Sequence, residues 1–406
     1  MIHSMVAAAM VAATLVPGGH TAAALPLGDA DLAETRTTQT LARGVTLTSI
    51  VRGTEPAPSG EIGTTTKGPW RVNVLTIDPQ RAKGHLRTTY GADLARTETV
   101  TDLVAAEGAL AGVNASFFTF TASQQFPGTP VGLGVHRGRL LSEPTTDPAE
   151  ADLVIDSARN RMVVGKLSWA ATVRNPRTRA ELPITLVNDP PAAAGAIAEF
   201  TPEFGTSTPA GEGAEVVLDR RGCVVRVAAS RGVALAAGQT SLQATGVQAA
   251  PLTALAQPTT PATSTQATTA PAKSCLRVEQ TVTDADGERV ELRPGTYAVN
   301  GRYRLTADGE IVVPDGTGSF FDRNPRTIAG TTRTGKIVLA TIDGRMTTSV
   351  GTTMDETAAV ADALGLRDAI NLDGGGSTTM VAAGRLVNQP SGSAQRPVGD
   401  AVIWDD

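Results

Sequence analysis

Two aspartates stand where apolar runs end near the C-terminus, Asp343 after Ile337-Val-Leu-Ala-Thr-Ile342 and Asp373 after Asp368-Ala-Ile-Asn-Leu372. Paired carboxyls are what acid–base cleavage of a glycosidic bond uses, about 5 Å apart for retention and roughly 6.5–9.5 Å for inversion. Asp373 runs into Gly374, Gly375 and Gly376, then Ser377 and Thr378. Such a backbone can approach a ligand closely and turn amide donors on an anion. No Lys follows, so it is not a Walker A loop. Arg326 in Asn324-Pro-Arg-Thr327, Arg345 after Asp343-Gly, and Arg396 before Pro397 are candidates to hold a phosphate, because the guanidinium fork matches phosphate oxygens. A third acid, Glu356, is the reserve. It lies in Thr353-Met-Asp-Glu356, a capping-box spacing that would occupy its carboxylate with the free amides of a helix. Ser377 as a nucleophile lacks both a GxSxG elbow and a suitably placed His, and His136 reads as structural.

These groups need elements to position them. The run 337–342 reads as a strand, 354–364 as a helix stopped by Gly365, and 368–372 as a second strand, a βαβ unit. If both strands share a sheet the helix makes them parallel, so Asp343 and Asp373 lie on one edge, where ligands bind such sheets. Adjacent strands would set them about 4.8 Å apart, and one intervening strand would double the gap. Trp70 to Asp78 alternates apolar and polar residues as a half-buried strand does, and globular structure is expected to begin there. Residues 99–106 read as helix, and 110–113 as a strand delivering Asn114. Residues 215–227 read as a hairpin, and 297–313 as short strands with turn signals at Asn300-Gly301 and Asp308-Gly309. Residues 251–274, rich in Pro and Thr, read as a flexible linker. The fold expected is α+β, a mixed sheet with packed helices and an inserted β-rich middle region. Its parts are a signal peptide at 1–24, an extended segment at 25–67, a domain from 68–165 and 295–406, and an insertion at 166–294.

Composition narrows the chemistry. A net charge of −5 with only five lysines excludes a Lys-rich footprint for nucleic acid. The apolar run Val6 to Val16, followed by Pro17, two glycines and Ala22-Ala23-Ala24, is a secretory signal pattern lacking its usual Lys or Arg. No segment reaches the roughly 18 apolar residues of a membrane span. Cys223 and Cys275 are expected to pair in an oxidising compartment, stabilising the fold by about 3 kcal/mol in the chain-entropy model. Four histidines, two of them in the signal region, leave little for a metal centre, so no cofactor is expected and catalysis falls to carboxylates, Arg, Asn and hydroxyls.

Seven stretches together carry a family resemblance: Asn114-Ala-Ser-Phe-Phe118, Gly132-Leu-Gly-Val-His-Arg-Gly138, Asn324-Pro-Arg-Thr-Ile-Ala-Gly330, Asp343-Gly-Arg345, Glu356 leading a helix, Asn371-Leu-Asp-Gly-Gly-Gly-Ser-Thr-Thr379, and Asn388 to Val398. In order, they resemble the motifs of the phosphodiester glycosidase family. The match covers most of 68–145 and 295–406, and in the middle region only about 215–246. The resemblance implies a hydrolase that cleaves a sugar 1-phosphodiester at the glycosidic side, with a glycan or sugar phosphate as partner, and the signal pattern makes it a secreted one. Asp373 and Asp343 would act as the carboxyl pair and Arg326 with the glycine loop would hold the phosphate, while Asn114 and Asn371 would hydrogen-bond sugar hydroxyls. Asp400 departs from the small or amide residue expected after Gly399. Two rival classes share these residues: a non-catalytic glycan-binding module, and a phosphodiesterase using Asp343 and Asp373 as ligands for Ca²⁺ or Mg²⁺.

Overall fold

Every residue of Ile337–Ile342 is buried, which explains its unbroken apolar run: the strand has no solvent face. It lies inside an eight-stranded sheet ordered Glu34–Ala42, Val45–Arg52, Trp70–Ile77, Ile337–Ile342, Arg326–Thr332, Leu366–Leu372, Arg302–Ala307, Glu310–Ile311. The computed structural model describes residues 23–121, 123–191, 195–258 and 274–406. The proposed signal peptide therefore falls almost wholly outside the described residues. Strands predominate over helices throughout, in keeping with an α+β class.

One face of the sheet packs through Leu75, Leu339, Ala329 and Leu372 against Val113, Met380, Val402 and Trp404 of a five-stranded sheet, and against Leu153, Ile155 and Val299 of another. The other face is covered by the helix Met354–Ala363 through Met354, Ala358, Val360 and Ala361.

Several expectations are corrected. The main sheet is not mixed, since each of its ladders is antiparallel. Ile337–Ile342 and Leu366–Leu372 run the same way because both pair antiparallel with Arg326–Thr332 between them. The parallel ladder of the described residues, Leu186–Val187 with Ile197–Phe200, lies in a separate sheet. The segment 25–67 is not merely extended. Leu25 and Leu27 are buried, and Glu34–Ala42 pairs with Val45–Arg52 as a hairpin on the sheet edge. Its first strand is exposed at six of nine positions and buried at none, so no two-residue apolar period marks it. Of the linker at 251–274, the first residues complete the helix Ala249–Ala256, which buries Leu252, Leu255 and Ala256; residues 259–273 lie outside the described residues. Asn300-Gly301 is not a hairpin turn. Thr296–Asn300 and Arg302–Ala307 belong to different sheets, and a Cβ at Gly301 would meet Ile370 Cδ1 at 2.6 Å and Asn371 O at 2.8 Å. Glycine lets the chain cross there.

The middle of the chain forms a three-stranded and a five-stranded sheet around its own apolar cluster, including Val173, Ile197, Val216 and Leu242. Cys223 and Cys275 are joined as a disulfide that ties the hairpin Gly211–Leu218/Val224–Arg231 to the approach to Arg277–Thr283.

Candidate active site

Because Arg326–Thr332 runs against its two neighbours, its N-terminal end meets their C-terminal ends. Asn324, Pro325, Asp343 to Arg345, and Asp373 to Ser377 thus share one rim. The intervening strand puts about 10 Å between the strands that end in the two aspartates.

Asp373 is gripped by its backbone. Its N–H donates to Ala115 O at 2.9 Å, and its carbonyl accepts Asn114 Nδ2 at 2.6 Å. Asp373 Oδ1 accepts the Gly374 N–H at 2.9 Å. Burial pushes the carboxyl up to about 6, against the lowering pull of the Ser377 hydroxyl, the Gly374 amide, Arg396 and Arg302. Asp343 is buried. Its Oδ2 accepts the Gln389 N–H at 3.1 Å, and its Oδ1 has no hydrogen-bond partner among the described residues. Burial also pushes it up to about 6, opposed by Gln389, Asn388 and the charge of Arg71. Neither carboxyl figures among the charges that shift the other.

The glycine loop makes a 3-10 turn over Gly375–Ser377. Its amides at Gly374, Gly375, Ser377 and Thr378 are spent on Asp373, Pro325, Gly374 and Gly375, so the expected row of anion donors is largely used internally. Two arginines replace it. Arg345, held at the left-handed φ of 61°, directs Nε and Nη2 to Asn324 Oδ1 at 3.0 and 2.7 Å. A Cβ at Gly375 would lie 3.1 Å from its Nη2. Arg396 donates to Ser377 Oγ at 3.3 Å and lies 4.7 Å above the Phe120 ring. A Cβ at Gly376 would come within 2.3 Å of its Nη2, so glycine is what admits this guanidinium. Burial and the charge of Arg396 lower Arg345. Among the described residues no carboxylate is in ion-pair contact with either arginine, unlike Arg87, Arg302 or Arg323.

The other candidates are not brought to this surface. Arg326 is buried and donates to the carbonyls of Thr352, Phe320 and Asp322; burial lowers it to about 10. It braces the 320–326 turn rather than facing a ligand. Asn114 is fully buried, its Oδ1 accepting Thr327 Oγ1 and the Thr379 N–H and its Nδ2 donating to the Asp373 carbonyl; it staples the loop from inside the fold. Asn371 is buried on the strand Leu366–Leu372, its Oδ1 without a hydrogen-bond partner among the described residues. Thr378 is buried, its hydroxyl meeting Thr327 and its carbonyl accepting Asn388 Nδ2. Glu356 closes the capping box with Thr353 and receives Arg323 Nη2 at 2.7 Å, so its carboxylate is occupied. Glu356→Ala is expected to cost about 1–2 kcal/mol of stability and leave kcat within about twofold, checked by thermal unfolding beside steady-state rates.

Sequence reasoning missed Arg302 and Phe120. Arg302 sits 4.5 Å above the Phe117 ring and pairs with Glu150 at 2.9 Å, reaching Asp373's field only because Gly301 switches sheets. Nothing in its neighbours marks it.

Burial raises Asp152, Asp343, Asp373 and Asp400 to about 6, and Glu143 and Glu199 to about 7. A carboxyl whose folded value exceeds its unfolded one adds stability that is full below about 4 and is lost as pH rises through 6–7. His136, lowered to about 4 by burial and Arg137, acts oppositely, losing stability as pH falls below about 6.5. One histidine against six carboxyls makes the protein more stable at pH 5 than at pH 7.5; a melting temperature that rises between those values would contradict this.

Residues 213–404 match the sequence model of the phosphodiester glycosidase family. Over this stretch, just under half of its length, the chain resembles that family. The family match begins inside the middle region and includes both rim aspartates, Arg345, the glycine loop and Arg396, while Asn114 reaches the domain from outside it. The whole chain is similar to an exported-protein structure from Burkholderia pseudomallei K96243, with 26% identity, a TM-score of 0.80, and 98% of this chain and 100% of that one covered. It shares its fold with a hypothetical protein from Synechocystis at 21% identity and a TM-score of 0.68, over 92% of this chain and 64% of the other. The catalytic domain of zebrafish N-acetylglucosamine-1-phosphodiester alpha-N-acetylglucosaminidase, auto-inhibited by its pro-peptide, aligns at 13% identity and a TM-score of 0.41, over 92% and 88%; that likeness is too slight to bear on mechanism. No curated protein matches the chain. Among the described residues no three His, Cys, Asp or Glu side chains gather as a metal-holding group, and no helix is long and apolar enough to cross a membrane.

Proposed function

We propose that this protein is an exported hydrolase that cleaves the glycosidic bond of a sugar 1-phosphodiester in a glycoconjugate or cell-envelope polymer. The observation that carries this reading is the pair Arg345 and Arg396, which flank the glycine loop beside Asp373 with no carboxylate in ion-pair contact among the described residues. Two guanidiniums within each other's field repel unless an anion lies between them, and their planar forks suit phosphate oxygens.

In the reaction, the bond between the anomeric carbon and the phosphate oxygen breaks and water adds to the carbon. The products are a free sugar and a phosphomonoester. Asp373, whose carboxyl feels the charge of Arg396, gives its proton to the leaving oxygen, while Arg345 and Arg396 neutralise the charge that develops on the phosphate. Asp343, one strand away, takes the proton of the attacking water; a gap of about 10 Å between strands leaves room for that water, as inverting glycosidases require. Export is supported by the N-terminal apolar run, the disulfide and the likeness to an exported protein.

Incubation with a hexose 1-phosphate methyl diester tests the reading. Free hexose and methyl phosphate are expected, with turnover unchanged by EDTA. Hexose 1-phosphate and methanol would assign a phosphodiesterase, and binding without turnover a glycan-recognition module.

A further inference from the structure

Asp400 lies outside the proposed chemistry, yet it is a buried carboxylate with no ion-pair partner among the described residues. Both its oxygens go to one residue. Oδ1 accepts the Ser116 N–H at 2.7 Å and Oδ2 the Ser116 hydroxyl at 2.6 Å. Ser116 belongs to the segment that holds Asp373: the Asn114 side chain takes the Asp373 carbonyl, and the Ala115 carbonyl takes its N–H. On the far side, Phe117 exchanges hydrogen bonds with Asn300, at 2.9 Å from its N–H and 3.3 Å to its carbonyl, and carries Arg302 on its ring.

We propose that Asp400 is a positioning residue for Asp373, acting through residues 114–117. The segment is pinned at Ser116 by Asp400 and at Phe117 by Asn300. Between those pins and the strand Ala111–Asn114 it offers a fixed carbonyl and a fixed amide to the backbone of Asp373. Without Asp400 a buried N–H and a buried hydroxyl lose their acceptor. The segment then shifts to find others, and Asp373 shifts with it. The effect on catalysis rests on the proposed hydrolysis; the effect on Asp373 does not.

The test uses the full chain with Asp400→Ala, Asp400→Asn and Ser116→Ala. Asn keeps an acceptor for the Ser116 N–H and donates to its hydroxyl, so the tether survives without charge. Asp400→Ala is expected to lower kcat about ten- to a hundredfold, the cost of misplacing a reacting group by about an ångström, with KM within about twofold. The ¹³C-carboxyl titration of Asp373, assigned by its absence in Asp373→Asn, moves in Asp400→Ala, and Asp400→Asn restores both rate and titration. If Asp400→Ala fails to fold, Ser116→Ala, which removes only the hydroxyl, should shift the same titration by a smaller amount. An unmoved Asp373 titration in the folded variant, even with a lowered melting temperature, would make Asp400 merely structural and overturn the proposal. Absence of turnover in the wild type would defeat the hydrolysis reading, while the titration still decides the role of Asp400.

Discussion

Asp373→Asn is expected to reduce kcat by about 10²–10⁴-fold, the contribution typical of a positioned proton donor, while leaving the fold and the melting temperature intact or slightly improved. The substitution is close to isosteric. An asparagine Oδ1 still accepts the Gly374 N–H that starts the loop, and the backbone grip of Asn114 and Ala115 does not involve the side chain at 373. What disappears is a proton held at about 6 by burial. Removing a buried ionisable group relieves a desolvation cost, so stability should not fall. Circular dichroism and steady-state rates together check this, and activity within about tenfold of wild type would remove Asp373 from the mechanism.

The arginine pair gives the second large effect. Arg345→Ala and Arg396→Ala should each lower kcat/KM by about 10²–10³-fold, as loss of a donor to a developing oxyanion does. Lysine at either position should recover only part of it, since a point charge lacks the two-pronged geometry. Methyl phosphate should raise the melting temperature of the wild type, because a ligand that binds only the folded chain stabilises it, and should fail to do so in the double variant. Equal protection by methyl phosphate in both proteins would place the anion elsewhere.

What could be read from the residues was local. The apolar run before Asp343, the capping box at Thr353 and Glu356, and the glycine loop after Asp373 depend on neighbours within a few positions, and each occurs where its sequence indicates. Three arginines looked equivalent because nothing near Arg326 distinguishes it from Arg345 or Arg396. Their fates part only when the 320–326 turn folds its carbonyls around Arg326 and Gly376 leaves space for Arg396. Asn114 could be taken for a sugar ligand for the same reason. Its staple partners, Thr327, Thr379 and Asp373, are distant in sequence and meet it only once its own sheet has paired and packed on the main one. Strand order is equally invisible to periodicity: the helix after Asp343 marks a crossover, but not that Arg326–Thr332 lies in the gap.

Hydrolysis of a sugar 1-phosphodiester in H₂¹⁸O tests the central claim most directly. The account predicts that the label enters the free sugar at its anomeric oxygen and that the phosphomonoester carries none. Label in the phosphate product would mean that water attacks phosphorus, and the assignment of Asp343, Asp373 and the two arginines to glycosidic cleavage would be wrong.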